Sequence, residues 1–63
     1  MQETHLTVED LAARLRVPPD TVYRWNSRGG GPAYIKVGRH ARYRLADVIA
    51  WEDTRRVGQG GGR

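Results

Sequence analysis

Apolar residues recur at helical spacing in three stretches and alternate in one, with Pro and Gly marking the breaks between them. Val8, Leu11, Ala12 and Leu15 fall at i, i+3, i+4 and i+7, which predicts a helix from Val8 to Leu15 with one apolar stripe. Thr7 is placed to cap its free N–H groups, and Glu9 and Asp10 put negative charge in the first turn. Thr7-x-x-Asp10 reads as a capping-box variant, and Leu6 with Leu11 as a hydrophobic staple. The residue before a proline is pushed away from the α region, so a second helix starts no earlier than Pro19, where a missing N–H costs nothing. This leaves Arg16-Val17-Pro18 as a turn of helix-turn-helix length, and the second helix runs from about Pro19 to Ser27. Val22 and Trp25 share its inner side. Asp20, Arg24 and Arg28 project from the other, with Thr21, Tyr23 and Ser27 on the flanks.

Gly29, Gly30, Gly31 and Pro32 end that helix and read as a hinge. The run follows a helix rather than a strand and has no following Lys-Ser/Thr, so it is not a phosphate-binding loop. Tyr34–Val37 and Ala41–Arg44 are strand candidates joined by a Gly38-Arg39-His40 loop. Alternation puts Ile35 and Val37 on one face and Lys36 on the other, so Lys36, Arg39, His40 and Arg42 are expected on the tip and outer face of the hairpin. A third helix after Leu45 carries Asp47 near its start and the apolar positions Leu45, Val48, Ile49 and Trp51. It is expected to end near Arg56, with Arg55 and Arg56 complementing its dipole. Val48 and Trp51 would close the core over the first two helices. Residues 1–5 are expected as a flexible N-terminus and 57–63 as a flexible Gly-rich tail, leaving 6–56 as the folded domain.

Composition narrows the possibilities. A chain of 63 residues without cysteine has neither disulfides nor a thiolate zinc site, so a single core must hold by packing, with Trp25, Trp51, Tyr23, Tyr34 and Tyr43 as its largest units. Trp25→Ala is accordingly expected to unfold it. No apolar run has membrane-spanning length and the N-terminal segment is polar, which gives the expectation of a cytoplasmic protein with no membrane partner. Net charge is +4, and ten of the eleven basic residues are Arg, a bias that fits a GC-rich bacterial or phage genome. No acid interrupts the stretch from Arg24 to Arg44, which holds Arg24, Arg28, Lys36, Arg39, Arg42 and Arg44. Such a block favours a polyanion, although a solvated basic face without a ligand has the same composition.

Two helices joined by a short turn, then a basic hairpin and a closing helix, make a mostly α chain with a small β-hairpin, the layout of a winged helix-turn-helix. Four segments carry a resemblance to a known family: Leu6 to Ala12, Val17 to Trp25, Gly38-Arg39 with Arg42-Tyr43-Arg44, and Asp47 to Trp51. Together they resemble the excisionase-type winged helix-turn-helix domains related to MerR regulators, over about Leu6 to Glu52. The resemblance implies a second helix in the DNA major groove and a wing on the adjacent backbone or minor groove. On this sequence it places Thr21, Tyr23, Arg24 and Arg28 at the groove and Gly38, Arg39 and Arg42 in the wing. Pro18 departs from the family's usual capping Ser or Thr. Family regulators also carry a further dimerisation or effector segment that this sequence lacks. That difference favours an excisionase, a recombination directionality factor of a phage or mobile element, over a small MerR-like transcription regulator.

The partners expected are double-stranded DNA, an integrase and neighbouring copies of the chain on DNA, with a monomer when free. Phosphate contacts would come from Arg24, Arg28, Lys36, Arg39 and Arg42, giving a salt slope of log affinity near about −4. Base reading would fall to Arg24 or Arg28 on guanine, while Asp20 is either a cytosine acceptor or a helix-dipole partner. His40 reads as an exposed loop residue near phosphate. With only two single histidines, no Cys and no carboxylate pair beside a base, neither catalysis nor a metal or cofactor is expected. A pure protein-interaction module would need an acidic partner to give the Arg cluster a role.

Overall fold

The computed structural model describes residues 5–57 as three helices and a small antiparallel sheet, a winged helix-turn-helix. Expectations for residues 1–4 and 58–63 lie outside the described residues. Helix α1 spans Val8–Leu15 and opens on the predicted capping box: Thr7 Oγ1 accepts from the Asp10 N–H, and Asp10 Oδ2 from the Thr7 N–H, both at 3.0 Å. Arg16 ends α1 in the left-handed region with φ 58° and ψ 45°, its N–H turned back on Ala12 and Ala13, and Val17 donates to the Ala12 carbonyl at 3.0 Å. Helix α2, Pro19–Arg28, begins with Pro18 as an extended cap that makes no side-chain bond, and Thr21 donates to the Pro18 carbonyl at 2.9 Å. A turn of Arg16, Val17 and Pro18 therefore joins the two helices as predicted.

The sheet holds one strand that periodicity did not reveal. His5–Leu6 forms β1, Ile35–Val37 forms β2 and His40–Arg44 forms β3, in the order β1-β3-β2. His5 pairs with Arg44 and Leu6 with Tyr43, so His5, expected in a flexible segment, belongs to the sheet. Two residues carry too little pattern for alternation to register. The hairpin loop is also shorter than expected: Val37 pairs with His40, so only Gly38 and Arg39 turn the chain, with Gly38 at φ 63°. Glycine at the first central position suits such a two-residue turn.

Cross-strand partners share a face, and that corrects the expected layout of the wing. Lys36 pairs with Ala41 and therefore lies on the inner face with Tyr43, whereas Ile35 and Val37 lie on the outer face with Arg42 and His40. Ile35 and Val37 are 38% and 56% exposed as a result.

Val8, Leu11, Ala12, Val22, Tyr43 and Val48 form the buried core, flanked by Leu6, Leu15, Val17, Trp25 and Ala41. Tyr43 is the largest fully buried side chain; its ring lies 5.6 Å from Tyr34, and its hydroxyl donates to Asn26 Oδ1 at 2.8 Å. The other aromatic residues contribute less than composition implied. Trp25 and Trp51 are half-buried and packed on each other at 5.2 Å, while Tyr23 and Tyr34 are exposed. Trp25 is thus a flank of the core rather than its centre. Helix α3 spans Leu45–Thr54, ending before Arg55 and Arg56, and its Ile49 faces outward. A bidentate ion pair ties α3 to α1, from Arg14 Nε and Nη2 to Glu52 Oε2 and Oε1 at 2.8 and 2.9 Å. The hydrogen bond from Arg14 holds the Glu52 carboxyl below its ordinary pKa.

Burial raises the pKa of Tyr43 above its ordinary value. A raised folded-state pKa means that the neutral phenol's stabilisation is complete below about pH 10, the unfolded value, and is lost as pH rises through the folded pKa. Thermal melts of the wild type should fall in midpoint on this alkaline limb. Tyr43→Phe should flatten the limb and lower the neutral-pH stability by about 1 kcal/mol for the lost hydrogen bond. Parallel alkaline limbs in the two proteins would contradict the assignment.

Candidate nucleic-acid interface

The polar side of α2 and the inner face of the wing meet at Tyr23. Along α2, Asp20, Thr21, Tyr23, Arg24 and Ser27 line one open surface with Pro18. The rotation of the helix puts Val22 fully inside, which leaves these positions outward. Arg24 is steadied by a 3.3 Å bond from its guanidinium to Thr21 Oγ1, and the Ser27 hydroxyl donates to the Arg24 carbonyl at 3.3 Å. Arg28 closes the last turn and is exposed.

On its other flank Tyr23 helps line a cleft of about 440 Å³ between the helices and the wing. The wing contributes Lys36, Arg39, His40, Ala41 and Arg42; the helices contribute Val8, Glu9, Tyr23 and Asn26, and Tyr34 completes the lining. The register explains Lys36 and Ala41, which share the inner face with Tyr43, whereas His40 and Arg42 reach the cleft from outer-face positions. Arg42 starts from the outer face, but its Nη1 donates to the Ala41 carbonyl at 2.9 Å. Gly38 shapes the wing tip and lines neither surface. Among the described residues, Arg24, Arg28, Lys36, Arg39 and Arg42 form no ion pair, whereas Arg14 and Arg56 are paired to Glu52 and Asp53. These cations of α2 and the wing are therefore free of ion pairs, as are Arg16 in the turn and Arg55 beyond α3.

Sequence patterning did not single out Glu9, Asn26 or Tyr34. Asn26 carried a usable signal, because it stands one helical turn after Tyr23 on the same flank. Glu9 and Tyr34 enter the cleft only through packing, with the Tyr23 hydroxyl 3.5 Å from Glu9 Oε2. No group of metal-ligating side chains occurs among the described residues.

The sequence profile of the helix-turn-helix domain matches residues 6–56. The chain belongs to the helix-turn-helix domain family. Membership supports sequence-specific binding of DNA, and α1 and α2 with their turn at Arg16 to Pro18 are the unit that names the family. Comparisons with curated proteins and with solved structures return no match. No helix among the described residues is long and apolar enough to cross a membrane.

In this helix-turn-helix domain Glu9 is the one carboxylate in a cleft that Lys36, Arg39 and Arg42 otherwise make positive. Glu9→Gln removes its repulsion of a phosphate while keeping a partner for Tyr23. DNA affinity at low salt should rise about two- to fivefold, the effect of one charge at solvent-screened distance, and the gain should shrink as salt is added. A salt titration of affinity checks this, and equal affinities at every salt concentration would place the cleft away from DNA.

Proposed function

We propose that the chain is an excisionase-type architectural protein, which lays copies side by side on DNA and bends it so that an integrase of a phage or mobile element runs toward excision. One observation carries the reading: Tyr23 lines both the open surface along α2 and the cleft beside the wing, and the cations of these two surfaces form no ion pair among the described residues. In this reading α2 enters the major groove. Thr21, Tyr23, Arg24, Ser27 and Arg28 face base edges and flanking phosphates there, and Asp20 accepts from cytosine or stays with the helix dipole. Lys36, Arg39, His40 and Arg42 grip the neighbouring backbone, with Gly38 letting the wing tip approach closely.

One recognition helix with one wing is a single module, and modules of this kind cover about 600 to 1,000 Å² of their own surface. A surface of that size supports modest affinity, so useful specificity arises when several copies bind adjacent sites and share the cost of bending deformable steps. The resemblance of the Leu6 to Glu52 segment to excisionase-type domains supports the same choice over a small MerR-like transcription regulator.

Gel-shift and bending titrations on attachment-site DNA, beside recombination assays with the integrase, test the proposal. Stepwise cooperative complexes, bending and excision that depends on the protein are expected; promoter binding with no effect on excision would replace this reading with the regulator. The roles within the surface separate by mutation. Arg24→Ala should lose about 1–3 kcal/mol on cognate DNA and little on random sequence, while Arg39→Ala should weaken both alike and reduce the salt slope by about 1. Equal losses for the two variants on both DNAs would sink that division of labour.

A further inference from the structure

The link from α2 to β2 is held at its ends, by the Gly29 N–H on the Trp25 carbonyl at 2.6 Å and by buried Pro32, and the Gly30 carbonyl between them takes its donors from elsewhere in the fold. Gly29 and Gly30 sit at φ 91° and 104°, in the region that favours glycine, and neither brings a side chain to anchor the path. The anchor comes from α3 and the residue just beyond it. Two donors converge on the Gly30 carbonyl, Trp51 Nε1 at 3.0 Å and Arg55 Nη2 at 2.6 Å. The Arg55 guanidinium lies 5.3 Å from the Trp51 ring centre, and Trp51 packs on Trp25 of α2 at 5.2 Å with the planes 52° apart. Gly31 presses against Trp25 so closely that a Cβ there would stand 2.9 Å from the Trp25 Cβ.

We infer that Arg55 is a positioning residue: with Trp51 it clamps the Gly30 carbonyl and so fixes the angle between the recognition helix and the wing. The inference rests on the reading that both elements touch DNA. The hairpin has two roots. Tyr43 holds β3 in the core, and Gly29–Gly31 lead into β2 through buried Pro32 and through Tyr34, whose ring lies 5.6 Å from Tyr43, so releasing Gly30 loosens the β2 root at its α2 end and lets the wing tilt. DNA offers groove and backbone at a set spacing, and a wing held at one angle meets the backbone without an ordering cost at the moment of binding. Arg55 is already committed to an acceptor and a ring, which separates it from the cations of the interface. It serves a hinge whose bend the glycines permit and do not fix.

The test compares the full chain with Arg55→Gln, Arg55→Lys and Trp51→Phe. Residual dipolar couplings in the free protein are read for α1, α2 and the wing. In the wild type one alignment describes all of them. In Arg55→Gln the wing amides should depart from the alignment of α1 and α2, and Arg55→Lys, which keeps a donor for Gly30 without the flat ring contact, should restore them in part. Should Arg55→Gln fail to fold, Trp51→Phe carries the same comparison, because it keeps a ring against Trp25 and loses one donor. On DNA, Arg55→Gln should make the salt slope shallower by about 1 to 2, since each lost phosphate contact removes about 0.9. Combining it with Arg39→Ala should add little to either single loss, because both act through the wing. Unchanged wing couplings in Arg55→Gln overturn the clamp, and so do losses from Arg55→Gln and Arg39→Ala that multiply, which would make Arg55 a direct DNA contact. A wild type that does not bind DNA would instead defeat the functional reading, and the couplings would still decide the clamp.

Discussion

The Tyr43 side chain is where the wing, the N-terminal strand and the recognition helix meet. It lies fully buried on the middle strand of the sheet, pairs across to Leu6, packs against Tyr34 and donates its hydroxyl to Asn26 of α2. The apolar ring demands a dry environment and the hydroxyl demands a partner within it, so one residue sets both the depth of β3 and the side of α2 that turns inward. With Asn26 drawn toward Tyr43, the opposite side of α2, carrying Asp20, Arg24 and Ser27, faces outward. The exposed surface of the helix follows from a bond made beneath it.

Charge is distributed by the same packing. The acids of α3 draw off basic residues: Glu52 holds Arg14 across the helices, and Asp53 holds Arg56 one turn away. Exposed pairs like these contribute little to stability, but they involve neither α2 nor the wing, so Arg24, Arg28, Lys36, Arg39 and Arg42 keep their charge without an acid partner. Lys36, Arg39 and Arg42 gather on the cleft and Arg24 on the adjoining surface of α2, an arrangement that steers a polyanion toward that side.

The wing is held more firmly than a glycine-rich connection suggests. Its inner face reaches the core at Tyr43, and its approach from α2 is gripped at Gly30 by Trp51 and Arg55. Arg55 sits just past the end of α3 and looks from the sequence like a charge complementing the helix dipole. Its partner is a carbonyl 25 residues away in the chain. Only the fold brings the two together.

What the sequence by itself determined is local: the bounds of α1 and its capping box, Pro19 opening α2, the turn from Arg16 to Pro18, and the order of helices and hairpin. Each depends on interactions within about one helical turn or on the fixed backbone preferences of Pro and Gly, so neighbouring residues suffice to specify it. The tertiary structure decided the rest. The two residues of β1 have no periodicity of their own and become a strand only because β3 offers an edge to pair with. The face of Lys36 follows from a two-residue turn that sets the register, and shifting a strand by one residue reverses every side chain on it. Glu9 and Tyr34 join the cleft, and Arg55 reaches Gly30, through contacts between segments far apart in the chain. Pattern along a chain records what each element prefers, and the meeting of elements is fixed by packing that no single stretch contains.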